Sequence, residues 1–158
     1  MKQTISFKNA DFLSEVLKLI NEGHTVTLPL MRGFSMRPFL EDGRDKALLT
    51  KAKVPHVGDP VLAIINKRYY VLHRVVNIEG DKVTLLGDGN LTPEHCTTDD
   101  IVASVLGFYR KGRSQLDSVN GTKWKAYSWI WMRLLPVRRW LLAFHRHVWI
   151  PLFNMFNK

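Results

Sequence analysis

The sequence predicts a mainly β body preceded by one helix and followed by a separate amphipathic helical tail. Three observations carry that reading. Between residues 25 and 109, apolar runs of strand length alternate with clusters of Gly, Asp, Asn and Pro. Residues 9–22 hold a single apolar stripe at helical spacing. Beyond Asp117 the composition changes abruptly: no acid remains, seven Lys and Arg follow, and all five tryptophans fall there. The boundary is therefore placed between residues 1–117, the body, and residues 118–158, a basic, Trp-rich tail.

A chain of 158 residues has room for one ordinary domain with a proper core. Its 46% apolar and 23% charged content is globular, not disordered. The net charge of +9 is uneven, since residues 1–117 carry only +2. Cys96, the single cysteine, excludes an intramolecular disulfide and a thiolate metal cluster, and suits a reducing compartment. Asp11 and Glu15 interrupt the opening segment, so neither a secretory leader nor an N-terminal membrane anchor is expected there.

In residues 9–22, Phe12, Leu13, Val16, Leu17 and Ile20 form the stripe, Asn9 or Asp11 is a candidate cap, and Gly23 is the stop. Residues 25–30 alternate, with Val26, Leu28 and Leu30 on one side, and lead into Gly33-Phe34-Ser35-Met36-Arg37-Pro38. There Gly and Pro predict a sharp turn that exposes the Ser35 hydroxyl. After the turn Glu41-Asp42-Gly43 comes a short strand at residues 47–49, then the turn Val57-Gly58-Asp59-Pro60. A meander follows: a strand at 61–65, a tight connection at 66–68, a long strand at 69–78, a hairpin turn at Gly80-Asp81, a return strand at 82–86, and a last strand at 101–109.

If Gly80 and Asp81 are the two central turn residues, Glu79 pairs with Lys82, and extrapolation sets His73 opposite Asp88. Directly opposed residues share a face with Cβ atoms about 4.5–5.5 Å apart. A carboxylate could then hold the imidazole, provided the register persists. With Ser35 on a turn, these are the groups that serine acyl transfer needs: a hydroxyl, a base that is neutral near pH 7, and an acid that orients the base. The residues alone also allow a bland reading, with His73 a core histidine and Asp88 a turn residue. His24, His56 and His95 lie near loops, and His145 and His147 do not share a helix face, so no metal site and no cofactor are expected.

Four segments, in order, resemble the sequence boxes of type I signal peptidases of the archaeal and endoplasmic reticulum branch. They are Gly33-Phe34-Ser35-Met36-Arg37-Pro38, Gly58-Asp59-Pro60-Val61, Val71-Leu72-His73-Arg74-Val75-Val76 and Gly87-Asp88-Gly89-Asn90. The resemblance spans roughly residues 25–110 and implies a body of coiled β-sheet, with Ser35 as nucleophile, His73 as base and Asp88 as third member. The implied activity is a serine endopeptidase that cleaves a leader or precursor peptide, with small side chains before the cut. The substrate would pair with the strand edge at Leu28, Pro29, Leu30 and Met31. Gly33 stands where many relatives carry a serine, so oxyanion stabilisation would rest on backbone N–H groups, including that of Ser35. One lost donor costs about 2.7–4 kcal/mol in rate. The last box reads Gly-Asp-Gly-Asn where Gly-Asp-Asn is usual, and the N-terminal anchor is missing. The alternative is a catalytically relaxed member that binds a peptide or nucleic acid.

In the tail, Val137, Trp140, Leu141, Phe144 and Val148 form an apolar stripe, with Arg138, Arg139, His145 and Arg146 on much of the other side. Pro136 and Pro151 are expected to break it into separate helices. Arginines make it a poor membrane span, whereas Trp131, Arg138, Arg139, Trp140, Arg146 and Trp149 suit the interface of an anionic membrane. The expectation is thus a peripheral, membrane-associated protein, with the cytoplasmic side preferred on Cys96 and the absent export signal. The alternatives are a tail packed on the body or in a dimer, and nucleic acid, the less favoured partner.

Overall fold

The computed structural model describes residues 10–29, 36–37, 39–40 and 43–152, with the side chains of residues 10 and 11 excepted. It is mainly β, a curled antiparallel half-barrel sheet with a helix before it and helices after it. The first helix, α1 (Ala10–Asn21), buries Leu13, Val16 and Ile20, while Phe12 is left exposed. Gly23 ends it with φ +96, a conformation that glycine adopts without the penalty a Cβ brings.

Among the described residues eight strands follow: β1 (Val26–Pro29), β2 (Lys46–Lys51), β3 (Pro60–Ile65), β4 (Tyr69–Glu79), β5 (Lys82–Leu86), β6 (Glu94–Thr97), β7 (Ile101–Tyr109) and β8 (Leu116–Ser118). Their order across the sheet is β1-β2-β7-β3-β4-β5-β6, with β8 added to β7. All pairings are antiparallel. The meander expected from residue 61 onward is present. Asn66 and Lys67, both at positive φ, turn the chain within the three-residue connection 66–68 that closes β3 onto β4, where the Arg68 N–H donates to the Ile65 carbonyl at 3.0 Å. Strands β6 and β8 have no counterpart in the sequence pattern, because each is only three or four residues long and lacks an alternating apolar run.

One core lies under α1, where Leu13, Val16 and Ile20 meet Leu28, Leu49, Leu62, Val105, Phe108 and Trp124. A second, formed by Val61, Ala63, Ile65, Val75, Val83, Leu85 and Ile101, fills the other part of the curl. Gly107 is where β8 joins: a Cβ there would stand 2.6 Å from the Asp117 carbonyl oxygen. Gly107→Ala is therefore expected to cost about 1–3 kcal/mol, the range for forced overpacking, as a lower midpoint in urea unfolding at unchanged slope.

The tail folds as α2 (Thr122–Arg133), a single 3₁₀ turn over Leu135–Val137, and α3 (Arg138–Phe144). The break falls at Pro136, as expected. At Pro151 the helical path continues to Leu152 instead, preceded by a π-helical turn over His145–Trp149. A proline ring crowds the carbonyl four residues back, and a widened turn accommodates it. The first tail helix belongs to the body, with Trp124, Ser128 and Trp131 buried against it.

Candidate functional site

His73 sits in the middle of β4 opposite Val61 of β3. Strand periodicity sends its ring to the same face as Val71 and Val75, which pack in the second core. It is 4% exposed. The residue against its Nδ1 is Glu94, on the terminal strand β6: Nδ1 and Oε2 are 2.8 Å apart, on an approach that lies off the hydrogen-bond axis. The other carboxylate oxygen accepts a hydrogen bond from the Tyr69 hydroxyl at 3.2 Å. Tyr69 and His73 are four residues apart on one strand, so both rise from the same face and reach one carboxylate.

Burial pushes the His73 pKa below its ordinary 6.5. The negative charges of Glu94 and Asp88 oppose that shift without cancelling it, and the Arg138 guanidinium adds to it. The ring is therefore neutral at pH 7. With Nδ1 facing a carboxylate, the proton belongs on Nδ1 and the lone pair on Nε2, the arrangement a general base requires.

Asp88 does not hold His73. The predicted register persists from Glu79–Lys82 to Asn77–Thr84, then slips by one: Val75 pairs with Leu85 and Arg74 with Leu86. A bulge at Val76 causes the slip, and no turn signal foretells an extra residue inside a strand. Asp88 instead takes a two-pronged ion pair from Arg74, with Nε to Oδ1 at 2.8 Å and Nη2 to Oδ2 at 2.7 Å, both side chains fully buried. The Tyr127 hydroxyl donates to the same carboxylate at 3.2 Å.

Arg74 also donates to the Gly58 carbonyl at 2.9 Å and to the Ser128 hydroxyl, and lies over the rings of Trp124 and Tyr127. Burial alone would lower its pKa, but the Asp88 partnership outweighs this and raises it. The Tyr127 hydroxyl is pushed far up, first by burial and then by Asp88, and stays protonated. Three of the four sequence boxes thus converge on one buried guanidinium: Gly58 of the second, Arg74 of the third and Asp88 of the fourth.

Of the other expected site residues, Ser35, Gly33, Leu30 and Met31 lie outside the described residues. Next to them, Met36 and Leu40 are buried in the first core, and the Leu40 N–H donates to the Met36 carbonyl at 3.0 Å, which makes a turn. Leu28 and Pro29 are on β1, a terminal strand whose outer edge is unpaired among the described residues. Leu28 points into the core, and Pro29 is exposed. Cys96, near Glu94 on β6, has its thiol pushed up to about 11 by burial and by the acids Asp100 and Glu94, so it is no thiolate nucleophile at neutral pH.

The expected membrane-interface set divides. Trp131 and Arg138 are 8% and 3% exposed, so neither can face a lipid surface. The Arg138 guanidinium lies 5.3 Å from the centre of the Trp131 ring and donates to the Gly87 carbonyl, a partner that only the folded chain brings within reach. Arg139, Trp140, Arg146 and Trp149 are exposed. Glu94, Tyr69, Tyr127 and Ser128 escape sequence reasoning. Glu94 stands among Pro93, His95 and Cys96 with no periodic pattern to mark it. No protein-family model and no curated protein matches this chain.

Proposed function

We propose that the protein is a serine endopeptidase of the signal-peptidase type, with Ser35 as nucleophile, His73 as base and Glu94 as the acid that orients the base. The observation that carries this reading is the state of His73. It is buried, fixed on a strand and set with Nδ1 2.8 Å from the Glu94 carboxylate, the kind of partner that holds a base in one tautomer. The four ordered sequence boxes supply the nucleophile. An extended precursor peptide pairs with the outer edge of β1 beside Leu28 and Pro29, leading its scissile bond toward the Ser35 turn.

Ser35 Oγ attacks the scissile carbonyl as His73 Nε2 accepts the hydroxyl proton. Collapse of the tetrahedral intermediate returns that proton to the leaving amine and leaves an acyl-enzyme. Water then repeats the sequence to release the acid product and restore Ser35. Glu94 keeps the proton of the neutral ring on Nδ1 and stabilises the imidazolium while it lasts. Asp88 plays a different part. With Arg74 it ties the Gly87–Asp88 turn to β4 and α2.

A fluorophosphonate probe, read by peptide mass spectrometry, is expected to modify Ser35, with labelling abolished in Ser35→Ala and strongly slowed in His73→Ala. Equal labelling of the parent and His73→Ala would remove His73 as the base. No labelling at Ser35 would leave a β domain that binds peptides without cutting them.

A further inference from the structure

Helix α1 and the segment from Val137 to Leu152 carry the same kind of apolar stripe, yet they meet opposite fates. In α1 the residues Leu13, Val16 and Ile20 are 1%, 4% and 0% exposed. In the tail Val137, Trp140, Phe144 and Val148, at helical spacing, are 46%, 75%, 57% and 38% exposed, and Trp149 and Leu152 are exposed beside them. The cause is Arg138. It is the buried residue of α3, clamped between the Gly87 carbonyl and the Trp131 ring, so the helix is fastened to the body by a charged side chain and turns its apolar side outward.

We propose that this outward side of residues 137–152 docks on an anionic lipid surface, its aromatic and aliphatic side chains entering the headgroup layer. The chemistry around it selects that partner. Arg139 and Arg146 are exposed on the same helical stretch, as are Lys123, Lys125 and Arg133 on α2. No acid follows Asp117 to repel anionic headgroups. Indole rings with arginine suit the interfacial layer, where the ring is part apolar and part wet and the cation meets phosphate or carboxylate. A second copy fits less well, because pairing two of these faces would bring like charges together. The aliphatic members Val137, Val148 and Leu152 offer nothing to a nucleic-acid base. Among the described residues no helix is long and apolar enough to cross a membrane, so the tail lies on the surface. This docking stands whether or not Ser35 is a nucleophile.

The test is flotation of the full-length chain with vesicles of phosphatidylcholine containing phosphatidylserine, and with vesicles of phosphatidylcholine alone. The parent is expected to float with the anionic vesicles and to detach as salt is raised. Its tryptophan emission should be quenched by brominated acyl chains. Arg139→Gln with Arg146→Gln should weaken partitioning by about 30-fold, the loss expected for two basic residues at such a surface. Trp140→Ser with Phe144→Ser should weaken it by at least roughly tenfold from lost apolar contact. Both pairs lie at exposed positions, and an unchanged thermal midpoint will certify that they fold. Flotation equal in the parent and Trp140→Ser/Phe144→Ser overturns the proposal. So does a parent that stays off anionic vesicles, including one that is a dimer dissolved by Trp140→Ser/Phe144→Ser, or one that binds RNA only.

Discussion

Glu94→Gln is expected to lower kcat on a cleavable peptide by roughly 10³-fold or more, the scale seen when a base loses the carboxylate that fixes its tautomer. The pH profile carries a second signature. In the parent, kcat/KM should fall as the pH drops through the His73 pKa, which burial holds below 6.5. Glu94 stabilises the imidazolium, so its removal lowers that pKa further, and the acid limb of Glu94→Gln should move to lower pH. A residue that merely supported the fold would leave the limb in place. Glu94 is partly exposed, with its side chain at 24%, so the variant should melt within a few degrees of the parent. A rate unchanged in Glu94→Gln would dismiss it as the orienting acid while leaving Ser35 and His73 to be judged by probe labelling.

The same depressed pKa acts on stability. Below the ordinary value of 6.5 the unfolded chain binds a proton at His73 that the folded chain resists. The neutral ring therefore contributes fully above pH 6.5, and stability declines as the pH falls from there toward the folded value.

The largest change in stability is expected from Asp88→Ala, about 3–5 kcal/mol, because it strands the Arg74 charge in a site where that side chain is 1% exposed. Replacing both partners, Arg74→Met with Asp88→Leu, should recover much of that loss, since an apolar pair of similar volume avoids the desolvation of two ions. A double-mutant cycle in urea would show strong coupling between the two positions. This separates the part assigned to Asp88 here from the part the sequence boxes imply. A structural Asp88 lowers unfolding free energy, and the surviving folded protein shows only the small move of the acid limb to lower pH that loss of a negative charge near His73 brings. An Asp88 that oriented the base would instead cost kcat on the scale expected of Glu94→Gln with little loss of stability. Near-parental stability in Asp88→Ala would contradict the buried ion pair.

What can be read from the chain alone is whatever a local pattern encodes. The stripe of Leu13, Val16 and Ile20 has one helical answer, and Gly80-Asp81 between two alternating runs has one hairpin answer. The change of composition after Asp117 marks where the helices begin. His73 is legible as a candidate because an imidazole among valines is conspicuous.

Its partner is not legible. A carboxylate's reach depends on register, and the bulge at Val76 shifts that register with no local pattern to announce it. That one-residue slip separates Asp88 from the ring, while the short strand β6, too weak to announce itself, returns from far along the chain to present Glu94. The tail illustrates the same division. Its aromatic and basic composition is plain in the sequence, but only tertiary structure decides that Trp131 and Arg138 turn inward while Trp140 and Trp149 face out. Buried charge must find a partner wherever the fold supplies one, and for Arg138 the Gly87 carbonyl, 51 residues earlier, is such a partner.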